Sequence, residues 1–106
     1  MYRMLIVDDE RIIRETLSRH IDWAALDVQV IGTASNGLEA YDIIMDEYPD
    51  IVMTDIKMPG FSGLELLQRI KSLHPDIEFI LLSGYGEFEY AQKACLLYTS
   101  DAADDL

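Results

Sequence analysis

At 106 residues the chain has room for one domain, and half of it is hydrophobic, enough apolar material for a single core. The formal net charge of −12, from 20 acidic and 8 basic residues, argues against sequence-independent nucleic-acid binding, which needs Lys and Arg on the phosphates. No apolar run approaches membrane-spanning length, no export signal opens the chain, and a lone Cys95 permits no internal disulfide, so the expected location is cytoplasmic.

Residues 4–7 form a short apolar run that stops at Asp8, Asp9 and Glu10, the pattern of a buried parallel strand opening onto acids. A helix is predicted next, with Ile13, Leu17 and Ile21 inward and Arg11, Arg14, Glu15 and Arg19 outward, ending at Asp22-Trp23. Residues 28–33 read as a second strand. Asn36 is placed to cap a second helix and Glu39 to bond back to the cap's N–H. That helix carries Ala40, Ile43 and Ile44 inward and stops near Pro49. Residues 51–54 form a third strand that runs straight into Asp55.

Pro and Gly make residues 57–63 a loop. Ser62 and Glu65 give a second capping box, opening a helix with Leu66, Leu67, Ile70 and Leu73 on its apolar side. His74-Pro75-Asp76 breaks it. Residues 78–82 are a fourth strand ending at Ser83-Gly84, and a last helix starts near Glu87 and runs through Ala91 and Ala94. Strands alternate with helices and no hairpin signal separates them. The fold class is therefore α/β, a doubly wound parallel sheet.

In such sheets ligands bind beyond the carboxyl ends of the strands, where the topology reverses. Strand one ends at Asp8 and Asp9, strand three at Asp55 and strand four at Ser83, so one sheet edge collects these side chains. Two carboxylates about 4 Å apart repel by roughly 4 kcal/mol at an effective dielectric near 20. The cluster calls for a cation, a shared proton or a positive side chain. Oxygen donors without His or Cys suit Mg²⁺. A metal-bound Asp55 could attack phosphorus, with the Ser83 hydroxyl donating to a phosphoryl oxygen. The plainer alternative is that these acids are turn residues and helix caps.

The segments Leu5-Ile6-Val7-Asp8-Asp9-Glu10, Ile51-Val52-Met53-Thr54-Asp55-Ile56-Lys57-Met58-Pro59-Gly60 and Leu81-Leu82-Ser83-Gly84 together resemble the receiver domains of two-component response regulators. The resemblance covers residues 2 to about 94. It implies a flavodoxin-like fold with five parallel strands. It further implies Asp55 as phospho-acceptor, Asp9 and Asp55 as side-chain Mg²⁺ ligands, Asp8 acting mainly through water, and the backbone carbonyl of Lys57 completing the protein ligands. Ser83 matches the hydroxyl residue that starts the conformational switch. A His on a partner sensor histidine kinase would be the phosphodonor, and the domain would act as a switch rather than an enzyme. Ile21-Asp22-Trp23 and residues 83–91 resemble the branch fused to AraC-type helix-turn-helix output domains. DNA binding is then an expectation for a longer parent, as is a homodimer.

The family's fifth strand, with its Lys followed by Pro, is not matched. Lys93 is the last basic residue and falls in the expected last helix, while Asp104 and Asp105 stand near the expected Lys position. Tyr98 lacks the context of the family's aromatic switch residue. Residues 1–94 are therefore read as an incomplete receiver domain. Residues 95–106 are read as a non-native tail resembling read-through into unrelated DNA, with the break near Ala94 or Cys95, so that the fifth strand and helix are missing. Loss of that cover threatens a domain stabilised by only about 5–15 kcal/mol, and leaves residues 78–82 as an edge open to association.

His20 and His74 have no partner at ligand spacing, and Trp23 reads as a packing residue at a helix–loop corner. Met45, Met53 and Met58 read as core or loop residues, and Gly84-Tyr85-Gly86 lacks the dinucleotide-binding spacing. Two rival functions follow from the residues. A Mg²⁺-dependent phosphohydrolase with an Asp nucleophile usually carries a second acid two residues later, where Lys57 stands. A phosphorylation-independent interaction module is favoured by the unmatched Lys.

Overall fold

The computed structural model describes residues 1–82. Over them the alternating apolar runs and amphipathic segments become β1 (Tyr2–Val7), α1 (Arg11–Arg19), a 3-10 turn (Trp23–Leu26), β2 (Val28–Ala34), α2 (Gly37–Glu47), β3 (Ile51–Asp55), α3 (Gly63–Leu73) and β4 (Glu78–Leu82). The four strands are all parallel in the order β2-β1-β3-β4. The chain therefore builds outward from β1 in one direction and then returns to build on its other side. The switch point lies between β1 and β3.

The uniform apolar run in β1 is explained by two covered faces. Met4, Leu5, Ile6 and Val7 are all essentially inaccessible. Leu5 and Val7 join Val52 of β3 against Ala40 and Ile44 of α2 and Leu66 and Ile70 of α3. Met4 and Ile6 join Met53 on the opposite face, where Leu17 and Trp23 pack. Burying each such aliphatic side chain is worth about 1.5–3 kcal/mol. β2 is less apolar because it lies at an edge of the sheet among the described residues, and its pairing with β1 shifts register between Met4 and Leu5.

Both predicted helix caps form. Asn36 Oδ1 accepts from the Glu39 N–H at 2.8 Å, and Ser62 Oγ accepts from the Glu65 N–H at 3.2 Å. The reciprocal half differs from expectation, because Glu39 Oε2 accepts from the Ser35 hydroxyl at 3.3 Å. α2 ends in a left-handed Tyr48 (φ 51°) just before the buried Pro49.

Two expected apolar faces are narrower than the spacing implies. In α1, Leu17 packs against the core, but Ile13 is 37% exposed. Ile21, 39% exposed, lies past the helix end at Arg19. Leu73, in the last turn of α3, is half exposed because the core contact ends at Ile70. Trp23 has the packing role expected of it, with its Nε1–H donating to the Leu17 carbonyl at 2.7 Å.

Among the described residues no helix is long and apolar enough to cross a membrane. Ser83, the expected helix from Glu87, the unmatched fifth strand and residues 95–106 lie outside the described residues.

Candidate functional site

Asp8 follows the last residue of β1, and Asp55 is the last of β3. Val7 and Thr54 are register partners, so the two acids emerge side by side at the switch point. The Asp8 backbone N–H still donates to the Ala34 carbonyl at 3.1 Å, which holds the end of β1 against β2. Its carbonyl accepts from Arg14 Nη1 at 2.8 Å, and its Oδ1 accepts from the Glu10 N–H at 2.9 Å. The first turn of α1 thus folds back over Asp8 and buries it, 2% exposed, while Asp9 beside it stays exposed.

Asp8, Asp9 and Asp55 each offer a carboxylate oxygen, and these oxygens all lie within 4.8 Å of one another. This is the gathering of acids that the strand ends predict. Burial pushes the Asp8 carboxyl above its ordinary range. The Glu10 N–H opposes that shift, and the neighbouring Asp9 charge adds to it. Repulsion and dehydration both ask for positive charge here. Carboxylate oxygens alone form a hard donor set, which fits a hard divalent cation.

The backbone around Asp55 is held tightly. Its carbonyl accepts from the Thr54 hydroxyl at 3.0 Å. The next residue, Ile56, donates its N–H to the Leu82 carbonyl at 3.3 Å and accepts from the Gly63 N–H at 2.8 Å. A Cβ on Gly63 would collide with the Asp55 carbonyl, so only glycine permits α3 to start this close. Gly37, at the start of α2, also leaves no room for a Cβ, which would collide with Phe61. Gly60 turns the loop with φ +78°, and the buried Met58 anchors it. Lys57 is exposed in that loop.

The histidines stand elsewhere. His20 is exposed at the end of α1, and His74 packs edge-on against Tyr48 with ring centroids 4.5 Å apart. Sequence reasoning missed Arg14, Thr54 and Gly63. A glycine directly after the Ser62 cap was the readable sign of a close approach, since the helix itself gains nothing from it. The two hydrogen bonds to backbone carbonyls left no sequence signal.

The sequence profile of the response regulator receiver domain family matches residues 4–102. The chain belongs to that family. It is 50% identical over 94 residues to the transcriptional regulatory protein YesN of Bacillus subtilis, a match covering 89% of this chain and 26% of YesN. The chain therefore spans about a quarter of that relative. Among solved structures it is similar to a two-component transcriptional regulator AraC from Clostridium phytofermentans. That match has 39% identity and a TM-score of 0.82, covering 89% of this chain and 73% of the other. It is also similar to the CheX–CheY–BeF3–Mg²⁺ complex from Borrelia burgdorferi, with 30% identity and a TM-score of 0.78, covering 92% and 72%. The receiver domain thus has the expected α/β, flavodoxin-like architecture, and its relatives include regulators of the AraC branch.

Proposed function

We propose that this receiver domain accepts a phosphoryl group on Asp55 from a phosphohistidine of a sensor histidine kinase, in a Mg²⁺-dependent reaction. The observation that carries the reading is the convergence of the Asp8, Asp9 and Asp55 carboxylates at the sheet switch point. The structure of the Borrelia burgdorferi relative contains BeF3 and Mg²⁺, which supports the same ligands here. Asp9 and Asp55 would hold the ion directly, Asp8 mainly through water, with the Lys57 backbone carbonyl as a further ligand. When bound, Mg²⁺ neutralises the carboxylates and the charge on the transferred phosphoryl oxygens.

An Asp55 carboxylate oxygen attacks phosphorus in line with the leaving group. The P–N bond breaks, the histidine ring keeps the electron pair and takes up a proton, and Asp55 becomes an acyl phosphate. Arg14 and the Glu10 N–H keep Asp8 at the base of the site. Ser83 is the proposed switch residue, its hydroxyl donating to a phosphoryl oxygen and biasing a two-state equilibrium.

The product is a modified protein, so the domain serves as a switch and not as a turnover enzyme. In a cytoplasmic parent chain that switch would control a transcriptional output domain, through a homodimer of the complete protein. The receiver proper is proposed to occupy residues 1–94, with the family match running eight residues beyond it, to residue 102.

Acetyl phosphate tests the reading without the kinase. With Mg²⁺, the intact mass of the chain rises by one phosphoryl group. EDTA or Asp55→Asn abolishes the gain. An adduct that survives Asp55→Asn overturns the site.

A further inference from the structure

Thr54 is fully buried on β3, where its neighbours Val52 and Met53 are apolar. A valine there would match its shape and its strand preference. The hydroxyl has to be bonded to be tolerated in such a place. Its partner is the backbone carbonyl of the very next residue, Asp55, at 3.0 Å. Gly63 abuts the same carbonyl, where a Cβ would collide with the oxygen and lie 2.9 Å from the carbon. The Gly63 N–H in turn donates to the Ile56 carbonyl at 2.8 Å. The peptide that follows Asp55 is therefore held by contacts to both a side-chain hydroxyl and the first residue of α3. The direction of the Asp55 side chain from its Cα depends on how that peptide is set.

We propose that Thr54 is a positioning residue: its hydroxyl fixes the peptide between Asp55 and Ile56, and so holds the Asp55 carboxylate against Asp8 and Asp9. The inference rests on Asp55 being the phospho-acceptor. A reacting group displaced by about 1 Å can lose roughly a hundredfold in rate, so a loosened peptide is expected to cost about tenfold. The loss falls on the maximal rate and leaves donor half-saturation unchanged, because the hydroxyl touches the nucleophile's backbone and not the donor.

The test compares Thr54→Val, which keeps the shape, with Thr54→Ser, which keeps the hydroxyl, in the full chain. Three readouts are taken: Mg²⁺ affinity by titration calorimetry, the rate of acyl phosphate formation from acetyl phosphate, and the urea midpoint. The expected result is weaker Mg²⁺ binding and an about tenfold lower maximal rate in Thr54→Val, with both close to native in Thr54→Ser. If Thr54→Val fails to fold, Thr54→Ala carries the same comparison. Native affinity and rate in the hydroxyl-free variants overturn the proposal and leave the Asp55 reading standing. Equal impairment in Thr54→Ser also overturns it, by assigning the effect to packing. A native chain that neither binds Mg²⁺ nor forms an adduct overturns the Asp55 reading, and this inference with it.

Discussion

Replacing Asp8 with Asn removes the one buried charge among the described residues. Asp8 is 2% exposed, and its carboxylate lies within 4.8 Å of those of Asp9 and Asp55. At such spacing two unit charges repel by about 3.5 kcal/mol at an effective dielectric near 20. Asp9 is exposed and Asp55 half-buried, so screening reduces the total relief to about 1–2 kcal/mol. Asparagine keeps an oxygen for the Glu10 N–H, so the local turn survives.

The pH dependence has a definite sign. Burial, opposed by the Glu10 N–H, holds the Asp8 carboxyl above its ordinary range. Between the ordinary and the raised value the folded chain binds more protons than the unfolded chain. Metal-free stability contributed by this group therefore falls as pH rises through that window. Asp8→Asn removes that component of the fall. In EDTA at neutral pH the variant should unfold at least about 4 °C above the native chain. Magnesium at a hundredfold its Kd should stabilise the native chain by about 2.7 kcal/mol and the variant far less. A variant less stable than native in EDTA, or equally stabilised by Mg²⁺, would refute the argument.

Gly63→Ala places a methyl group on the Asp55 carbonyl and should cost at least about 2 kcal/mol in urea unfolding, within the range for overpacking; an unchanged midpoint contradicts the close approach. Asn36→Ala removes the α2 cap and should cost about 1 kcal/mol, with Asn36→Gly milder; a cost as large in the glycine variant argues against capping.

Much of the fold was legible because strands covered on both faces must be continuously apolar, as residues 4–7 are. The acids that end β1 and β3 were legible for a related reason. A charge directly after a buried strand must emerge at the strand's end, and parallel strands share one such end. Side-chain reach was less legible. Glu39 found the Ser35 hydroxyl in place of the cap's N–H, a choice between two nearby donors that sequence spacing does not distinguish. Ile13 and Leu73 fit helical periodicity yet are exposed, because periodicity gives a face and not the length of sheet available to cover it. Arg14 and Thr54 serve the site through backbone carbonyls, acceptors that every residue carries and that no sequence pattern marks.

The most direct test of the central claim is to find the phosphoryl group by residue. After reaction with acetyl phosphate and Mg²⁺, borohydride reduces an aspartyl phosphate to homoserine, which peptide mass mapping locates. The account predicts homoserine at position 55 alone. Homoserine at Asp8 or Asp9, or none in a chain that binds Mg²⁺, would contradict it.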